Sequence, residues 1–237
     1  MEGMRLKWDI KAKSKTKGEI SIYGEVCSYK WDDTDVTAND FQKELKTLGG
    51  ISELDIFINS PGGSVFEGQA IYSILKRHKA KKTVYVDGIA ASIASLIAMA
   101  GDEIIIPSNG ILMIHNPWTW GAGNSSDFRK KADELEKIRE AMIPAYLNKA
   151  GDKLTEEKLI ELLDAETWLT GTEAFEYGLC DSVGEEKQIA ASIMLNCYRN
   201  IPEQFKASKK DSFREGILKE CNDLEVQIKN DNKKFKI

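Results

Sequence analysis

Histidine is nearly absent from this 237-residue chain, which carries only His78 and His115. Cysteine is sparse as well: Cys27, Cys180, Cys197 and Cys221 are scattered and form no Cys-x-x-Cys pair. That spacing indicates neither a zinc knuckle nor a disulfide framework and suits a reducing, cytoplasmic setting. A basic excess is missing too, since 33 Lys and Arg face 38 Asp and Glu for a net charge of −5. No basic cluster is interleaved with aromatics, so nucleic acid is not an expected partner. The longest apolar run, 89–100, is alanine-rich and falls short of the roughly 20 residues a membrane span needs, so no membrane association is expected. The first ten residues carry Glu2, Arg5, Lys7 and Asp9 around no apolar centre, which argues against a signal peptide. No Gly-x-x-x-x-Gly-Lys-Ser/Thr phosphate loop occurs, so any use of ATP must come from a partner. No metal and no cofactor are expected.

What is present is enough chain for one sizeable domain and an appendage. Residues 1–18 form a polar, lysine-rich N-terminal segment with Trp8 and Ile10 as its anchors. Alternation of apolar and polar residues predicts a strand over 19–25, and 32–35 reads as a loop. Asn39 and Gln42 suggest a capping box for a helix from Thr37, with Phe41, Leu45 and Leu48 inward. A second strand, 54–59, runs into Ser60-Pro-Gly-Gly63. A helix follows with Val65, Ala70, Ile71 and Leu75 inward. Residues 83–86 predict a strand that stops at Gly88, and 92–100 a helix.

Strands over 103–107 and 111–115 come next, then a loop, 118–124, with two exposed-looking tryptophans. A long helix is expected from Ser125 or Ser126 to Ala150, kinked or jointed at Pro144. A helix over 155–163, a connector over 164–168, a helix capped by Thr170 and Glu173, and a strand over 179–183 complete the domain. Strands alternating with helices argue for an α/β fold with largely parallel pairing. The domain is expected over 19–184 and a charged helical tail over 185–237. In that tail Phe213, Ile217, Cys221, Leu224 and Ile228 make a short amphipathic stripe.

The chain is organised around Gly88-Ile-Ala-Ala-Ser-Ile-Ala94. A serine at a strand-to-helix junction exposes its hydroxyl, and tiny neighbours permit the sharp turn. Taken alone, the stretch also reads as a small-residue packing seam. His78 sits among Arg77, Lys79 and Lys82, as a solvated helix end would. His115 ends an apolar strand beside a loop, where a general base belongs, although a core histidine bonded to a carbonyl would look the same. Together they form a coherent set. A serine hydroxyl needs a base, the base needs a carboxylate, and the oxyanion needs preorganised N–H donors. The amides of Gly63 and Ile93 are the candidate donors. Losing one such donor costs about 3 kcal/mol of transition-state stabilisation.

Ile58-Asn-Ser-Pro-Gly-Gly63, Gly88-Ile-Ala-Ala-Ser92 and Met113-Ile-His-Asn-Pro117 resemble the three signature segments of the Clp protease proteolytic-subunit family. Glu176-Tyr-Gly-Leu-Cys-Asp181 resembles its closing helix and strand. The similarity covers roughly residues 18–185 in unbroken order. Phe66-Glu-Gly, Tyr85-Val-Asp-Gly and Glu166-Thr-Trp-Leu-Thr look closer to the phage and prophage head-maturation branch. The resemblance implies a spiral of β-β-α units, shared with the enoyl-CoA hydratases (crotonases), with the helical tail appended. It implies a serine endopeptidase with Ser92 as nucleophile, His115 as base, and Gly63 and Ile93 as oxyanion donors. Asp164, 49 residues beyond the histidine, is the implied acid, with Glu166 the fallback and Asp152 a distant third.

The resemblance also implies an extended polypeptide substrate, such as a capsid or scaffold protein. It would pair along Gly62-Gly63 on one side and Asn116-Pro117 on the other. Homo-oligomeric rings are implied as well. An ATPase partner is left open, because the N-terminal segment departs from the housekeeping type; the 118–124 loop departs from the family's text too, which bears on substrate preference and ring contacts. Two other readings stay open on the residues: a crotonase-type acyl-CoA enzyme and a non-catalytic structural subunit.

Overall fold

The computed structural model describes residues 7–27, 37–186 and 198–202. The chain divides into two compact units, Met1–Asn200 and Ile201–Ile237, and the first holds every element below. The loop over 32–35 and the stripe from Phe213 to Ile228 lie outside the described residues.

The polar N-terminal segment, for which no element was expected beyond the anchors Trp8 and Ile10, contributes a strand. β1 (Lys7–Ala12) pairs antiparallel with β2 (Lys17–Val26), with Trp8 opposite Ile22. Trp8 drives this pairing: it is buried, meets Phe41 edge-on at 5.3 Å, and donates its indole N–H to Glu44 at 3.1 Å. Lys7, Asp9 and Lys11 alternate with Trp8, Ile10 and Ala12, a strand pattern only six residues long and set in lysine-rich text.

Parallel pairing then builds the sheet from β2 to β3 (Glu53–Gly63) and from β3 to β4 (Lys81–Ala91). The crossovers are α1 (Ala38–Thr47) and α2 (Val65–Arg77). Ile20, Ile22, Ile56, Ile58, Val84 and Val86 point to one fully buried layer, joined by Ile71 and Leu75 of α2. Burying each such side chain contributes about 1.5–3 kcal/mol before the entropy of ordering it. The capping box of α1 is Thr37 with Asp40, not Asn39 with Gln42. The helix starts two residues earlier than the Asn39 signal implies, which makes Asn39 a first-turn residue.

The decisive feature is β4. It does not stop at Gly88 but continues to Ala91 and changes partner on the way. Thr83, Val84 and Tyr85 pair with β5 (Glu103–Pro107), whereas Ile89, Ala90 and Ala91 pair with β6 (Ile111–Ile114), both parallel. Between β4 and β5 in the chain lies α3 (Ile93–Ala98), every residue of which is buried. The helix pattern is apolar all round because this helix has no wet face.

α4 (Ser125–Ala150) is a single unbroken helix capped by Asn124 and Asp127, and Pro144 does not divide it. The carbonyl that proline leaves without a donor belongs to exposed Glu140, where water can satisfy it. α5 (Glu156–Asp164) follows. The expected connector after it contains β7 (Thr167–Thr170), antiparallel to β6 with Met113 opposite Trp168. α6 (Gly171–Glu176) and β8 (Ser182–Gly184) close the domain, β8 pairing with β5. The result is a mixed α/β fold with one eight-stranded sheet, ordered β1-β2-β3-β4-β5-β8, with β6 and β7 branching from β4. Among the described residues no helix is long and apolar enough to cross a membrane.

Candidate active site

The β4–α3 junction places Ser92 in a backbone conformation that side chains disfavour, φ 53° and ψ −127°. Such a residue costs about 1–3 kcal/mol and persists only when its surroundings over-determine it. They do so from three directions. The Ser92 N–H donates to the Met113 carbonyl at 2.8 Å, pinning the turn to β6. The Ser95 hydroxyl donates to the Ser92 carbonyl at 2.5 Å and pairs with the Tyr146 hydroxyl of α4 at 2.8 Å. From the third side, Gly62 (φ +97°) presses on the turn so closely that a Cβ there would stand 2.7 Å from Ser92 Cβ.

The same register delivers the histidine. Ala91 lies opposite Met113, so the residues after each strand leave the sheet together at its carboxyl edge. His115 Nε2 stands 2.8 Å from Ser92 Oγ. The imidazole is buried, at 8 % exposure. Burial lowers its pKa below the ordinary 6.5; the negative charge of Glu166 opposes that shift and Arg199 adds to it. A neutral imidazole at neutral pH can accept the serine proton.

Gly62 and Gly63 end β3, and a Cβ on Gly62 would also stand 3.2 Å from the Ile93 amide nitrogen. The two amides predicted as oxyanion donors therefore flank the contact between Gly62 and Ser92. Buried Ser60 holds this turn, donating to the Gly24 carbonyl at 2.6 Å and accepting from the Gly62 N–H at 3.1 Å. Asn116 and Pro117 line a cleft with His115, Trp118, Trp120, Asp164 and Glu166.

The three candidate acids separate. Asp164 Oδ1 accepts from Asn116 Nδ2 at 2.6 Å and lies 3.5 Å from an Arg139 guanidinium nitrogen. Among the described residues it makes no hydrogen bond to His115. Glu166 lines the cleft, its charge acts on the imidazole, and its φ of 49° is left-handed. Ser92 and Glu166 are the only non-glycine residues with positive φ among those described. Asp152 is exposed in the turn Gly151–Lys153 and does not line the cleft. Cys180 is no rival nucleophile, since burial, aided by Asp181, pushes its thiol up to about 11. Among the described residues no three His, Cys, Asp or Glu side chains group to hold a metal.

The model of the Clp protease family matches residues 16–187, which include every element from β2 to β8. The chain belongs to the Clp protease family. It is a peptidase by that membership. The ATP-dependent Clp protease proteolytic subunit of Bacteroides fragilis (strain NCTC 9343) is 32% identical over 155 residues, 63% of this chain and 73% of that one. The protein of the same name from Pleurastrum terricola is 34% identical over 146 residues, 60% of this chain and 73% of its own. That from Deinococcus radiodurans is 35% identical over 134 residues, 55% and 64% of the two chains.

Two parts of this Clp-family site escaped the sequence reading. The Ser95–Tyr146 bond joins residues 51 apart, and nothing local marks either. Tyr198, in the segment read as tail, packs edge-on against His115 with ring centroids 5.4 Å apart. Its only sequence signal is one aromatic residue at the end of a short apolar run, 189–197.

Proposed function

We propose that this Clp-family peptidase is a serine endopeptidase with Ser92 as nucleophile and His115 as general base. The observation that carries the reading is the 2.8 Å approach of His115 Nε2 to the hydroxyl of a serine held at φ 53°. Ser92 Oγ attacks the scissile carbonyl carbon as its proton passes to His115 Nε2. The carbonyl oxygen, now an anion, is received by the amides of Gly63 and Ile93. The C–N bond then breaks, and the imidazolium returns the proton to the departing amine. Water, deprotonated by the same imidazole, releases the acyl group. The substrate is an extended polypeptide lying between Gly62-Gly63 and Asn116-Pro117.

Asp164 was the expected third member, but its carboxylate is engaged by Asn116 and Arg139. Glu166 lines the cleft with His115, is held at φ 49° and is the one negative charge that acts on the imidazole, so we assign it the role of stabilising the imidazolium, with Asp164 fixing the Asn116 rail. Resemblance in Phe66-Glu-Gly, Tyr85-Val-Asp-Gly and Glu166-Thr-Trp-Leu-Thr supports a role in phage or prophage head maturation. The relatives are named proteolytic subunits of an ATP-dependent protease. By analogy this chain assembles into homo-oligomeric rings in the cytoplasm and hydrolyses peptides without itself using ATP. A fluorophosphonate probe tests the chemistry: it acylates Ser92 in the wild type and leaves Ser92→Ala unlabelled. Equal labelling of the alanine variant removes Ser92 from the mechanism.

A further inference from the structure

Arg199 and Asn200 line the cleft beside His115 and Glu166, and Tyr198 precedes them. Tyr198 is buried, at 9 % exposure, while Arg199 and Asn200 beside it are exposed. The Tyr198 ring meets His115 edge-on at 5.4 Å and Trp168 edge-on at 5.6 Å, and its hydroxyl donates to the Pro61 carbonyl. Two residues on, the Asn200 N–H donates to Glu166 Oε1 at 2.6 Å, and Asn200 Nδ2 donates to the Ala165 carbonyl at 2.9 Å. The segment thus bridges the Pro61 turn at the end of β3 to residues 165–166. It inserts one aromatic ring against the base and makes polar bonds at both ends. A bound peptide would use the same contacts.

We propose that the slot walled by His115, Trp168 and Pro61 is an aromatic side-chain subsite of the cleft, filled here by the chain's own Tyr198. The proposal rests on the peptidase reading above and adds to it a substrate class and a regulation. Polypeptides that present a tyrosine or phenylalanine to this slot are the preferred substrates. The chain's own segment competes with them, because one slot cannot hold two rings. The bond to Glu166 makes the competition doubly effective, since it occupies the carboxylate assigned to the imidazole.

The test compares the full-length wild type with Tyr198→Ala and Tyr198→Phe on internally quenched peptides. The peptides carry Tyr, Phe or Ala at each position flanking the scissile bond, and fluorophosphonate labelling of Ser92 is measured in parallel. In Tyr198→Ala, kcat/KM for Tyr and Phe peptides rises about tenfold through KM, the worth of one emptied apolar pocket, and Ala peptides gain far less. Tyr198→Phe keeps the ring and loses only the bond to Pro61, so it shows a smaller gain in the same order of peptides. If every protein labels but the Tyr and Phe peptides gain no more than the Ala peptides, there is no subsite, and the peptidase reading stands. A labelling rate in Tyr198→Ala about tenfold below wild type would mean that Tyr198 positions His115, which also overturns the proposal. Absence of labelling in the wild type removes the peptidase reading and the subsite with it.

Discussion

Replacing Gly62 by alanine tests how the Ser92 turn is held. A Cβ at this position would stand 2.7 Å from Ser92 Cβ and 2.8 Å from the Ala91 carbonyl oxygen, both too close. Carbon atoms pack at about 3.5–4.0 Å, so Ser92 or β3 must retreat by about 0.8 Å or more. The backbone adds a second cost, because φ at Gly62 is +97° and a left-handed residue with a side chain costs roughly 1–2 kcal/mol. Overpacking adds about 1–3 kcal/mol. At about 2–4 °C per kcal/mol for a domain of this size, the melting temperature falls by roughly 4–20 °C. Activity falls further than stability accounts for. A displacement near 1 Å at the reacting group costs about 10²-fold in rate, and here it would open the 2.8 Å contact between Ser92 Oγ and His115 Nε2. Circular dichroism melting and the rate of fluorophosphonate labelling, both at a temperature where the variant is folded, measure the two effects. Gly49→Ala is the control, since φ there is +67° but nothing lies within 4 Å of the added Cβ. It pays only the conformational cost of about 1–2 kcal/mol and labels like wild type. Were Gly62→Ala to melt with Gly49→Ala and label within about threefold of wild type, the close approach of the glycine turn would not be what holds the serine.

Two further outcomes are expected. Glu166→Gln lowers peptide turnover by about 10²-fold or more, while Asp164→Asn acts mainly on KM through the loosened Asn116 rail; the reverse pattern returns the acid role to Asp164. The pH profile carries a sign. Burial depresses the His115 pKa, so the base stays neutral to lower pH, and the acid limb of kcat/KM has its midpoint below 6.5. Because the charge of Glu166 opposes that depression, Glu166→Gln moves the limb lower still, and Asp164→Asn leaves it in place. A wild-type midpoint at about 7 or above contradicts the burial argument.

Local patterns were enough for much of this protein. Alternation over 19–25 and 54–59 marked β2 and β3, Thr170 with Glu173 marked the start of α6, and short apolar runs marked β5 and β6. Scarcity made the chemistry legible, since with two histidines in the chain and one serine among tiny residues the candidates were few. Such signals lie within a few neighbouring side chains, where periodicity and capping act. Other decisions needed the whole chain. β1 alternates over only six residues inside a lysine-rich segment and β7 does not alternate, so both depend on the partner strands that accept them. The course of β4 through Gly88 depends on β6 arriving to pair with its second half. That Asp164 is engaged by Asn116 and Arg139 follows from how α4 and α5 pack, not from its spacing to the histidine. Tyr198 reaches a carbonyl 137 residues away in sequence. Residue types and spacing set what each group can do; distance and burial decide which groups meet, and those follow only from how the chain packs.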